Sequence, residues 1–136
     1  MISVVFPGQG SQKVGMGSDL YNKFESTKEL FKKADEILGY KISHLILSGP
    51  QEKLNQTTFT QPAIYLISCA ICEILKKETE FFQNKFNFFA GHSLGEYTAL
   101  TMSDAITFEQ GLLLLKHRGE AMQSAVPLGE GGMLAV

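Results

Sequence analysis

Gly91-His92-Ser93-Leu94-Gly95 holds one hydroxyl between two positions that carry no side chain. Before it stands the apolar run FNFFA (86–90), which reads as a buried strand, and after it SLGEYTALTM, which reads as a helix. A serine flanked two residues away on each side by glycine, at a strand-to-helix turn, is the nucleophile-elbow pattern. The spacing has a steric reason. The serine must adopt a strained backbone conformation, and its neighbours must be small for strand and helix to approach. The hydroxyl is then lifted above the sheet, next to the N-terminus of the following helix with its unpaired N–H groups and positive dipole end. A plain turn needs a glycine or two but has no use for a serine between them, so Ser93 is expected to be a nucleophile.

A second loop, PGQGSQ (7–12), follows the first strand, and loops at the carboxyl ends of parallel strands are where α/β folds bind ligands. It is neither a dinucleotide fingerprint, since the third glycine is missing, nor a phosphate-binding lysine loop. Two readings stand side by side. Glycines on both sides of Gln9 free its backbone N–H to face a developing oxyanion, with the Leu94 N–H as the second donor. Alternatively, the segment is only a flexible connection. Arg118, in LLLLKHRGEAM, likewise has two readings: a fork for bidentate carboxylate recognition, or a solvated helix-surface residue. His44 and His117 lie in no motif, and His92 diverges from Ser93 as adjacent side chains on a tight turn do. Cys69 and Cys72 form a C-x-x-C with no second pair, so they read as core residues on one helix face, and no metal site is expected.

The elements that would position these residues can be read from the periodicity. ISVVF (2–6) is a β-branched strand ended by Pro7-Gly8. STKELFKKADEILG predicts a helix, with Ser26 and Glu29 as a capping box and Gly39 as its stop. A looser helical stretch runs from about Ile42 to Leu54. TTFTQPAIYLISCAICEILKK predicts a long helix with Thr60 near its cap and Pro62 in its first turn. Thr107 and Gln110 make a second capping box, opening a helix on which Leu112, Leu115, Gly119, Met122 and Val126 share a face. Pro127 and the glycines after it end that helix, and GMLAV reads as the start of a third strand. Strands alternating with helices predict an α/β fold with a parallel sheet flanked by helices. So many amphipathic helices around so few strands predict apolar surface without a partner, as in the front part of a larger domain.

The bulk numbers narrow the class. The chain has 136 residues, 44% hydrophobic and 19% charged, as in an ordinary soluble globular protein. A net charge of −2 gives no footprint for nucleic acid. MISVVF is too short for a secretory signal, and Ile64–Leu75 too short for a membrane span. A cytoplasmic protein with no nucleic-acid or membrane partner is expected.

Four blocks, VFPGQGSQKVGMG, TQPAIY, AGHSLGEYTAL and HRGEAMQSAVPLGEGGMLAV, resemble the malonyl-CoA:acyl carrier protein transacylases of fatty acid biosynthesis in order and spacing, across essentially the whole chain. The resemblance implies an α/β-hydrolase-like core over residues 1–126, with residues 127–136 as the first strand of a small ferredoxin-like subdomain. It implies that Ser93 takes a malonyl group from malonyl-CoA as an ester and passes it to the thiol of acyl carrier protein. Gln9 and Leu94 match the oxyanion-hole positions, Arg118 matches the partner of the malonyl carboxylate, and Gln61 matches a position near the active site. It also implies a general-base histidine well C-terminal of the serine. None of the three histidines present matches it, so this chain alone is expected to be nearly inactive. A non-catalytic fragment or binding module is the alternative, and an α/β-hydrolase-type thioesterase fits less well because Arg118 and GQGSQ suit acyl transfer.

Overall fold

A computed structural model describes residues 3–80, 88–126, 129 and 131. The elements in chain order are β1 (Ser3–Phe6), α1 (Ser18–Lys23), α2 (Glu25–Leu38), α3 (Ile42–Ser48), α4 (Gln51–Leu54), α5 (Thr57–Glu78), β2 (Phe88–Gly91), α6 (Gly95–Met102) and α7 (Phe108–Ala125). β1 and β2 pair in parallel, with Ser3 opposite Phe88 and Phe6 opposite Gly91. The mixed helix-and-strand architecture expected from the alternation is therefore present as a small parallel sheet among many helices. The expected strand at GMLAV lies outside the described residues, as do residues 86 and 87 of the second run.

The main core is helical. Phe31 and Leu38 of α2, Ile42 and Ile46 of α3, Leu66 of α5 and Leu112 of α7 are buried together. α5 is 22 residues long and apolar enough by length and composition to cross a membrane. Two-thirds of that apolar stretch is buried against the other helices, so it is the central core helix here. Its span matches the long helix expected over TTFTQPAIYLISCAICEILKK. Cys69 and Cys72 are buried free thiols within it, matching the reading as core residues. Burial pushes the Cys69 thiol up strongly and the Cys72 thiol up to about 11, so neither supplies a thiolate near neutrality.

Several local expectations need correction. The α2 helix begins at Glu25 with Phe24 as its cap, and Ser26 makes no capping bond. Lys28 takes a contact with Glu25 instead, at 2.9 Å. The α5 helix begins at Thr57, so Pro62 lies inside it rather than in its first turn. There the Thr60 hydroxyl donates back to the carbonyls of Leu54 and Gln56, at 2.5 and 3.0 Å. The stretch 42–54 is two helices, broken at Gly49 with φ +83°. The buried Asp35 carboxylate accepts from the Ser43 N–H at 2.9 Å and so caps α3 from α2, a long-range cap no local pattern shows. By contrast, the Thr107–Gln110 capping box forms in both directions, at 3.2 and 2.9 Å. On α7, Leu112, Leu115 and Gly119 are buried as expected, Met122 is half-buried and Val126 is exposed.

Apolar side chains remain uncovered. Val5 is 71% and Phe88 59% exposed, and Leu113 and Leu114 of α7 also face outward. An apolar groove of about 340 Å³ runs between β1 and α5, lined by Val5, Ile67, Ile71 and Leu75 among others.

Candidate active site

Ser93 sits at the turn between β2 and α6 with φ +54°, a left-handed conformation rare for a residue with a side chain. Its flanking glycines have separate steric reasons. A Cβ on Gly91 would lie 1.9 Å from the carbonyl carbon of Gly95, and a Cβ on Gly95 would lie 2.5 Å from the carbonyl oxygen of Phe6. Gly91 thus lets the turn close on itself, and Gly95 lets the start of α6 press on the end of β1. The sheet is continued past the strands by His92 N–H, which donates to the Phe6 carbonyl at 3.1 Å.

The glycine loop comes to the same place. A Cβ on Gly8 would lie 2.4 Å from His92 Nδ1 and 2.9 Å from its carbonyl oxygen, so the loop after β1 runs directly against the serine turn. The Gln9 side chain reaches the opposite way and donates to Thr57 Oγ1 at 3.3 Å, tying the loop to the start of α5. Within the serine turn, the Gly95 and Glu96 N–H groups are already committed to the His92 and Ser93 carbonyls, at 2.9 and 3.1 Å. The N–H groups of Gln9 and Leu94 make no hydrogen bond among the described residues.

Arg118 is not a solvated surface residue. Its Nη2 donates to Ser93 Oγ at 3.1 Å, and its Nη1 donates to Gln61 Oε1 at 2.5 Å. The guanidinium carbon also lies 5.9 Å from the centre of the Tyr97 ring. Gln61 is completely buried on α5, and its amide nitrogen lies 3.2 Å from Met122 Sδ. The close crossing of α5 and α7 makes this possible. A Cβ on Gly119 would lie 2.9 Å from both the Thr57 carbonyl oxygen and Thr58 Cα, so only glycine lets the helices meet beside Arg118.

The structure therefore brings together Ser93, Arg118 and Gln61, with the Gln9 loop packed alongside. Tyr97 was missed in the sequence, and Met122 was read there only as part of the apolar face of α7. Each stands four residues beyond a singled-out residue, Tyr97 after Ser93 and Met122 after Arg118, a spacing that places the Arg118 pair on one helix face. The other histidines are apart from this cluster: His44 is exposed on α3, and His117 is exposed with its ring 3.5 Å from Glu120.

The match to known proteins is extensive. Residues 4–136 match the acyl transferase domain family. The chain is 52% identical over its whole length to a polyketide biosynthesis malonyl CoA-acyl carrier protein transacylase of Bacillus subtilis, covering 44% of that protein. It is 46% identical over 98% of its length to the malonyl CoA-acyl carrier protein transacylase of Haemophilus influenzae, covering 42% of it. The crystal structure of an acyl-carrier-protein-S-malonyltransferase from Bartonella henselae superposes with a TM-score of 0.88 at 38% identity, over 95% of this chain and 41% of that one. A type II PKS acyl-carrier protein in complex with its malonyl-transacylase gives 0.85 at 42% identity, over 92% of this chain and 40% of the matched one. The chain spans less than half the length of these relatives. With a family match over nearly every residue and a shared fold, the chain belongs to the acyl transferase domain family.

Proposed function

We propose that this chain carries the nucleophile and the carboxylate-recognition half of a malonyl-CoA:acyl carrier protein transacylase. Ser93 Oγ attacks the thioester carbonyl of malonyl-CoA and gives its proton to a general base. The resulting oxyanion is held by the Gln9 and Leu94 N–H groups. As the C–S bond breaks, coenzyme A leaves as a thiol and a malonyl ester remains on Ser93. The phosphopantetheine thiol of acyl carrier protein then attacks that ester and regenerates the hydroxyl. The base is assigned to a histidine beyond this chain's residues. The names of the relatives point to acyl carrier protein as the acceptor, in one of them for polyketide biosynthesis. We read the core as α/β-hydrolase-like and residues 127–136 as the entry to a small ferredoxin-like subdomain. Coenzyme A and carrier-protein substrates would favour a cytoplasmic location, and we propose one.

The observation that carries this reading is the Arg118 contact to Ser93, 3.1 Å long. A malonyl ester on Ser93 puts its carboxylate carbon three bonds of about 1.5 Å from Oγ, within reach of a guanidinium that already touches Oγ. A hydrolase for uncharged esters gains nothing from a cation there. The test is intact mass after incubation with malonyl-CoA, on this chain and on one of the relatives' full length, each beside Ser93→Ala. A malonyl adduct on Ser93, lost in Ser93→Ala, is expected for the longer chain, with slow or negligible labelling of the shorter. An adduct that persists in Ser93→Ala defeats the assignment.

A further inference from the structure

Both terminal nitrogens of Arg118 are engaged, but their two partners differ in what release would cost. Gln61 is fully buried, and its amide is oriented at both ends, with oxygen on Arg118 and nitrogen on Met122 Sδ. Turning it away would bury an unsatisfied carbonyl. The Ser93 hydroxyl is only half-buried and can turn to water or to a base without that loss.

We infer that Gln61 is the permanent partner of Arg118 and Ser93 its exchangeable one, so that an incoming acyl carboxylate displaces the Ser93 hydroxyl from Nη2. Carboxylate recognition and release of the nucleophile are then one event. Until Nη2 is taken, the hydroxyl accepts a bond from a cation through an oxygen lone pair of the kind that must attack. An acyl group without a carboxylate leaves that bond in place, which makes the Arg118–Ser93 contact a specificity device in addition to the charge pairing itself. No covalent bond forms or breaks in the exchange. This deepens the reading above and rests on Ser93 and Arg118 having the roles assigned there.

Because hydroxyl and carboxylate compete for the same nitrogen, removing the hydroxyl must tighten carboxylate binding. The experiment is titration of a chain of the relatives' full length with free malonate, followed at the Arg118 side-chain NMR signal, with malonamide as the uncharged control. Ser93→Ala and Ser93→Gly are compared with the unchanged chain, the glycine variant adopting φ +54° without strain. We expect both variants to bind malonate about 3–10-fold tighter, the scale of one partly exposed charged hydrogen bond, and none to respond to malonamide. Equal or weaker binding by both variants overturns the exchange while leaving Arg118 as the carboxylate partner. No malonate response at Arg118 in any of the three overturns that assignment and the exchange with it.

Discussion

Gly119 of α7 lies so close to Thr58 of α5 that a Cβ on the glycine would meet the threonine Cα at 2.9 Å. The contact adjoins Arg118, so the distance between two helix backbones sets where the guanidinium sits. Gly119→Ala must push α7 away from α5 or bend it. It is expected to destabilise the chain by about 1–3 kcal/mol in denaturant unfolding. In a chain of the relatives' full length, it should lower malonyl transfer more than acetyl transfer, because the carboxylate partner is displaced while the serine turn is untouched. Equal losses for the two acyl groups would detach Gly119 from Arg118.

Gly91 and Gly95 make a contrasting pair of predictions. A methyl at either position meets backbone, not a movable side-chain tip. Gly91→Ala and Gly95→Ala should each abolish acylation of Ser93 and lower stability. A substitution at exposed Gly39, where nothing lies within 4 Å of the Cβ position, should cost only the strain of φ +76°. In a chain of the relatives' full length, mass labelling by malonyl-CoA beside thermal unfolding separates the two kinds of glycine. Comparable loss of labelling at all three would argue that the turn contacts are not what holds Ser93.

Tyr65 tests the core under the site. Its hydroxyl lies 2.8 Å from Thr101 Oγ1 and donates to the Phe108 carbonyl at 3.1 Å, joining α5, α6 and the start of α7. Burial pushes this phenol far above its ordinary value, so it stays protonated as a donor. Tyr65→Phe is expected to cost about 1–2 kcal/mol, the scale of a buried hydrogen bond lost with its acceptor left behind. Chemical denaturation measures it, and an unchanged midpoint would show that the hydroxyl is not structural.

The Lys33–Glu109 pair links α2 to α7 on the surface. Its hydrogen bond with Lys33 holds the Glu109 carboxyl down at about 2, below the ordinary 4.5. A carboxyl depressed on folding contributes stability that is full above its unfolded value and is lost as pH falls through its folded one. The loss should fall between about pH 5 and pH 2, and it should be small because both side chains are well exposed. Glu109→Gln is expected to flatten that part of the stability profile and to remove its dependence on added salt. Persistence of the full acid slope in the variant would place the dependence elsewhere.

Much of the site was legible in the sequence because its signals are local. Gly91-x-Ser93-x-Gly95 dictates a strained turn wherever it occurs between strand and helix, and Thr107–Gln110 closes its capping box within four residues. The core helices announced themselves by periodicity, down to the buried cysteines. Ser26 and Glu29 have the same spacing as Thr107 and Gln110 yet form no cap, since α2 starts ahead of Ser26. Phe24 ends α1 and caps α2 at once, so α2 starts too early for Ser26 to serve as its cap.

Arg118 shows the other limit. By composition it was as good a surface residue as a ligand, and only the resemblance of its HRGEAMQSAV block favoured the second reading. Its partners lie 57 and 25 residues away, on α5 and at the head of α6. They meet only because Gly119 lets two helices touch and because β1 and β2 pair in parallel, bringing the serine turn and the glycine loop to one end of the sheet. By itself the sequence determined the chemistry on offer: a hydroxyl on a strained turn, glycine-freed amides and a guanidinium. The tertiary structure alone decided that these groups share one site, because proximity between distant residues is a property of packed backbones and not of spacing along the chain.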